Sequence, residues 1–78
     1  MPRFFFHVYD DVVAIDDDGV ELPDLEAARR EAVRGARALA AEQVTEGRLI
    51  LHHRIEAVDE GGNVVASVTF GDVVTVEP

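Results

Sequence analysis

Of the 78 residues none is cysteine, tryptophan or lysine, three are proline and five are aromatic. The lack of cysteine excludes disulfide bridges and thiolate metal sites. A chain this short has room for one core and leaves much of its surface wet, so the support left to a small domain without disulfides is self-association. No apolar run exceeds a few residues, far below the roughly 20 needed to span a bilayer, and the first residues lack the long apolar segment of a secretory signal. A cytoplasmic protein with no membrane partner is expected. Basic residues are scarce too: seven, all arginine, stand against sixteen acidic ones, for a net charge of −9. That balance repels the phosphate backbone and argues against nucleic-acid binding. Exclusive arginine follows more simply from a GC-rich genome than from selection for bidentate contacts. HExxH, Walker, dinucleotide and GxSxG signatures are all missing, so nothing indicates an enzyme or a cofactor.

What is present divides by period. "RFFFHVY" alternates, with Phe4, Phe6 and Val8 on one side and Phe5, His7 and Tyr9 on the other, as in a strand whose wholly apolar side faces the core. "DDVVAID" turns through Asp10 and Asp11 into a short second strand centred on Val13 and Ile15. The period then lengthens. Leu25, Ala28, Ala32, Ala36, Leu39 and Ala40 recur at spacings of three and four and predict a helix over 24–46. Asp24 is its N-cap, Glu26 suits the helix dipole, and Gly47 is its stop. An alanine stripe with Gly35 on its edge predicts a helix lying close to its sheet. "RIEAVDEGGNVVASVTF" predicts a second hairpin over 53–70 about the "EGGN" turn, with Ile55 and Ala57 inward opposite Val64, Ala66, Val68 and Phe70. Residues 71–78 are either a last edge strand or a tail that pairs with another chain. The fold expected is a single α+β domain over 1–78. It has two layers, one helix on an antiparallel sheet, in the order β-β-α-β-β, with the N-terminal hairpin over 1–16.

"IDDDGVELPD", residues 15–24, packs five carboxylates into ten positions. Aligning Gly19 with the sixth position of a calcium loop puts Asp16 and Asp18 on ligand positions. It also puts Ala14 at the first and Leu25 at the twelfth, where the ion needs a bidentate glutamate; Glu26 is one residue off. An acidic turn that solvates the surface and leads into the Asp24 cap is the better reading. His52 and His53 are neighbours that a strand sends to opposite faces. His7, were it to meet one of them beside Asp10 or Asp59, would approximate a zinc or hydrolytic cluster, but three unconnected polar residues are the simpler expectation, and no metal site is assigned.

Two surfaces are candidates for partners. Arg30, Arg34 and Arg37 cluster on the helix side away from the alanines, flanked by Arg29. Glu26 four residues before Arg30 and Glu31 three before Arg34 can pair with part of that charge, leaving a solvated ridge or a docking ridge for an anion or an acidic partner. The second is the sheet face carrying Phe5, His7, Tyr9, Val58, Val65 and Thr69, which no second helix exists to cover. Two aromatics among β-branched residues suit association better than water.

"MPRFFFH", then the "DDDGVELPDLEAAR" run into an alanine-rich helix, then "RIE" followed by "DEGG", together resemble the small bacterial proteins grouped as domain of unknown function 6894, common in alphaproteobacteria. The likeness covers roughly residues 1–70 and implies no activity or catalytic residues. In architecture the chain is also similar to HicB-type antitoxins, without any appended DNA-binding segment. The function expected is a non-enzymatic protein-interaction domain that forms a homodimer. An antitoxin-like binder of a basic partner protein is the alternative, and a small metal-dependent hydrolase a more distant one. Since no residue set argues for a structural metal, chelator should leave the melting temperature unchanged. A rise of several degrees with calcium or zinc, lost in Asp16→Ala or His7→Ala, would overturn that expectation, because a ligand that binds only the folded state must stabilise it.

Overall fold

A computed structural model describes all of residues 1–78. Seven elements follow one another: β1 (Arg3–Tyr9), β2 (Val13–Ala14), β3 (Val20–Glu21), α1 (Leu25–Thr45), β4 (Arg54–Val58), β5 (Val64–Thr69) and α2 (Phe70–Val73). The strands form one antiparallel sheet in the order β2-β1-β4-β5, with β3 also paired to β1. One long helix packs on it, which makes the architecture α+β and two-layered.

The helix forms where the sequence places it. Asp24 is extended (φ −161°) and its carboxylate accepts the Ala27 N–H at 2.8 Å, satisfying one of the amides left free at a helix start. At the other end Gly47 takes φ +85°. This conformation lets the Gly47 and Arg48 amides turn back onto the carbonyls of Val44 and Gln43. Ala28, Ala32, Ala36 and Ala40 are buried at i, i+4 spacing, so the helix axis comes close to the strands. A Cβ added at Gly35 would lie 3.0 Å from Ile55 Cδ1, so the close approach extends to that edge of the stripe. Ala32, Ala36 and Ala40 share one apolar cluster with Ile55, Val68 and Phe70, against which Phe6 and Val8 of β1 also pack.

Four expectations need correction. Leu25 is 59% exposed; it opens the helix at a point where no element covers it, so the buried stripe begins with Ala27 and Ala28. The second strand is only Val13–Ala14, paired as Tyr9↔Val13 and Val8↔Ala14, and Ile15 lies beyond it, 57% exposed, because the Asp16 amide turns away to the His7 ring. The chain then returns as β3, an unforeseen strand, with Arg3↔Glu21 and Phe4↔Val20. Val64, expected inward, is 55% exposed, because a register shift between Ala57 and Val58 takes it out of the core alternation. Residues 71–78 add no strand. The Thr69 hydroxyl accepts the Asp72 N–H at 3.1 Å while Asp72 Oδ2 accepts the Thr69 N–H at 2.9 Å; this capping box converts the chain into α2 and drives Phe70 fully into the core.

The alanine stripe generates a direct test. Ala36→Leu inserts three carbons where the helix meets the sheet and should lower stability by about 1–3 kcal/mol. Ala38→Leu, on the exposed side of the same helix, should shift it by less than about 0.5 kcal/mol. Urea denaturation of both variants checks the difference.

Candidate interaction surface

Antiparallel partners point to the same face, so the register assembles the side of the sheet opposite α1. Phe5 pairs with Val58, His7 with Glu56, and Tyr9 with Arg54; Glu56 continues to Ser67 and Arg54 to Thr69. Phe5, His7, Tyr9, Val58, Val65 and Thr69 are all half-buried. The expectation of a mostly apolar face omitted what lies among them. Arg54 stacks its guanidinium 4.3 Å from the Tyr9 ring centroid and donates from Nε to Glu56 Oε2 at 3.0 Å. Glu56, His7 and Ser67 make a polar band that separates the Phe5–Val58 end from the Tyr9 end. Thr69 is already engaged by the capping box.

Phe5 is covered from the loop side by Gly19, where φ is +68° and an added Cβ would come within 2.8 Å of Phe4 O and 2.9 Å of the Phe5 ring. That glycine is held by Asp16. The Asp16 carboxylate accepts the Phe6 N–H on Oδ2 (3.0 Å) and the Asp18 and Gly19 N–H groups on Oδ1 (3.1 and 3.0 Å), while its own amide donates to His7 Nδ1 (3.1 Å). The Gly19 amide above all, with those of Phe6 and Asp18 and the nearby His7 ring, holds the carboxyl below its ordinary pKa despite some desolvation. Asp16 is therefore committed to backbone amides rather than simply solvating the surface. Asp59 closes the "EGGN" turn in the same manner, accepting from Gly61, Asn63 and the Asn63 side chain, with its pKa lowered chiefly by the Asn63 amide.

The sheet also ends in an open edge. Phe70 donates to His53 O at 2.8 Å, so in the alternating antiparallel ladder Val68 also turns its backbone groups toward β4, and Ser67 and Thr69 turn theirs outward. The Thr69 amide is taken by Asp72. Ser67 makes no other backbone contact and is exposed. "VVASVT" carries no charge and no proline, the two devices that usually blunt an edge strand.

The three histidines do not converge. His7 serves the Asp16 loop, His52 is exposed, and His53 is buried beneath the end of α1, with its ring edge-on to Phe70. Gln43 Oε1 accepts the Ile50 amide at 2.9 Å, which aims Nε2 as a donor at His53 Nδ1, 2.7 Å away. The neutral ring then carries its proton on Nε2, 3.6 Å from Asp11 Oδ1. Arg48 holds the same carboxylate at 2.8 Å, tying the β1–β2 turn to the end of the helix. Gln43 is the residue whose role the sequence concealed, since a glutamine near a helix end signals nothing by pattern. No three of the histidine, aspartate and glutamate side chains are placed to hold one metal ion, and no helix is long and apolar enough to cross a membrane. On α1, Arg30 faces Glu26 at 3.8 Å and Arg34 pairs with Glu31. Arg37 departs from the solvated ridge: its Nε donates to Val73 O at 3.2 Å and so secures α2.

A family model described as Domain of unknown function (DUF6894) matches residues 3–71, nearly the stretch on which the resemblance rested. No curated protein and no solved structure matches the chain.

The Asp16 hub predicts a defined pH response. Its carboxyl pKa is lowered in the fold, so its contribution is complete above the unfolded value near 3.8 and is lost as pH falls through the lower folded value. Asp16→Asn turns an amide NH2 toward backbone N–H donors and should destabilise by about 1–3 kcal/mol at neutral pH. The gap between variant and wild type should then narrow as pH falls below 3.8, read by denaturant melts at pH 7 and pH 2.5; a gap independent of pH would remove the carboxylate from this role.

Proposed function

The chain belongs to this family of domains of unknown function, and we propose that it is a non-catalytic protein-interaction domain that pairs with a second copy of itself along the β5 edge. The observation that carries the reading is the uncharged, proline-free edge strand with the outward backbone groups of Ser67 left open. Strand addition satisfies such groups and extends the sheet. A second copy fits because an antiparallel strand can pair with itself about a two-fold axis, each copy presenting the same patch. It also fits the core, since only 12 of 78 residues are buried and four of them are stripe alanines with little side chain to bury.

Pairing about Ser67 joins the two outer faces, with their Phe5, Tyr9, Val58 and Val65 side chains, into one continuous surface. The polar band of His7, Glu56 and Ser67, with Arg54 beside it, argues against stacking those faces directly on each other, since it would bury charges within the contact. A cytoplasmic setting agrees with the lack of cysteine. The antitoxin-like alternative rests on the acidic surface, and no geometry singles out a site for its basic partner.

Size exclusion with light scattering at micromolar concentration should report about twice the chain mass of 8.5 kDa. Ser67→Pro, which removes the outward amide, and Val65→Lys, which charges the edge, should both give folded monomers. Tyr9→Glu, next to Arg54, should remain dimeric. Because each copy carries −9, added salt should tighten the dimer rather than weaken it. A wild-type monomer at millimolar concentration, or a dimer split by Tyr9→Glu and not by the edge variants, would overturn the reading.

A further inference from the structure

Four of the seven positive charges lie within nine residues of α1: Arg29, Arg30, Arg34 and Arg37. The remaining three, Arg3, Arg48 and Arg54, are each engaged by a carboxylate, of Glu21, Asp11 and Glu56 respectively. Residues 25–37 carry +2, from four arginines and two glutamates, which leaves −11 on the rest of a chain of net charge −9. Positive potential is therefore confined to one face of one helix.

That face holds the one cavity of the molecule, a shallow hollow of about 350 Å³ lined by Glu26, Arg29, Arg30, Val33, Arg34 and Arg37. Val33 and the aliphatic stems of the arginines give it an apolar floor, and the guanidinium groups form its rim. Two rim groups are held in place. Arg37 is anchored through Nε to Val73 O, which leaves its two terminal nitrogens to donate elsewhere. Arg34 is gripped from one side by Glu31 through Nε and one terminal nitrogen, and its other terminal nitrogen is unused. Donors fixed before binding lose little freedom on binding. Arg29 makes no close ion pair, although its charge is felt by Asp72 of α2, and the Arg30–Glu26 pair is long and exposed, so both can turn to a ligand.

We propose that this hollow is a binding site for a compact oxyanion bearing two or more negative charges. Guanidinium forks match phosphate and carboxylate oxygens bidentately. The negative charge around the site sets the size of the ligand: beyond roughly 8–10 Å at physiological ionic strength its own field is screened, and a longer polyanion would run onto a surface that repels it. Nucleic acids and long acidic segments are thus disfavoured, while a diphosphate or a tricarboxylate fits. The site is independent of the β5 edge and of the pairing proposed there.

Titration of the ¹⁵N-labelled full chain with pyrophosphate, and separately with citrate, at constant ionic strength tests it. Saturable shifts should be confined to residues 29–37 and the adjoining α2, with the stronger of the two probes identifying phosphate or carboxylate as the preferred chemistry. Arg34→Gln and Arg37→Gln should each weaken binding about tenfold. Glu26→Gln removes the only carboxylate lining the hollow and should tighten binding severalfold, an effect that a damaged fold cannot imitate. Linear, unsaturable shifts with both probes would overturn the proposal. So would equal affinity in all three variants, or a 20-nucleotide single strand that displaces pyrophosphate at equal phosphate concentration.

Discussion

Everything in this fold depends on how closely α1 approaches the sheet. Alanines at 28, 32, 36 and 40, with Gly35 hard against Ile55, let the helix lie close on the strands, and the core becomes a thin layer instead of a filled volume. Such a layer gains its stability from tight packing of many small contacts. It has no slack for larger side chains and little apolar area in reserve. The aromatic ring of Phe70 closes its end, which is why the capping box that turns the chain at Thr69 belongs to the core as much as to the helix it starts.

Most of the architecture was legible because it is written in periods. The alternation of "RFFFHVY", the three- and four-residue spacing of the alanines and the glycine turn between two β-rich runs each specify one kind of element, and each forms. What escaped reading was set by individual hydrogen bonds. Ile15 is apolar and β-branched, yet leaves the strand because Asp16 turns to His7. Thr69 and Asp72 look like ordinary strand and loop residues until their mutual caps stop the sheet. For the surface, the residues read from the sequence do lie on one side of the sheet, but the character of that side was missed: "RIEAV" places Arg54 and Glu56 on the same side as Phe5 and Tyr9 by simple alternation, and reading only the apolar members left the polar band unseen. Gln43 could not have been found at all, since its importance comes from His53 and Ile50 meeting it in space.

The sixteen carboxylates are not one undifferentiated acidic coat. Asp16, Asp24, Asp59 and Asp72 each accept backbone amides and fix a loop, a helix start, a hairpin turn and the last helical turn. Glu21, Glu56 and Asp11 hold arginines in fixed positions. Together with the remaining carboxylates they give every copy of the chain the same net charge of −9, so copies repel one another at long range, while β5 itself carries no charge.

The position of β1 has a consequence for how the protein comes into being. It is the first strand made and lies in the interior of the sheet, yet its long partner, β4, follows about 50 residues later, with Phe5 waiting for Val58 and Tyr9 for Arg54. A growing chain therefore carries three consecutive phenylalanines with only the two-residue β2 and β3 to shield them until the second hairpin leaves the ribosome. Helix α1 can form on its own schedule, but its alanine face has nothing to pack on until the same moment. The central pairing of the sheet is consequently deferred until β4 has been made, and the dangerous interval for aggregation is the one in which the most aromatic segment is finished and its partner is not.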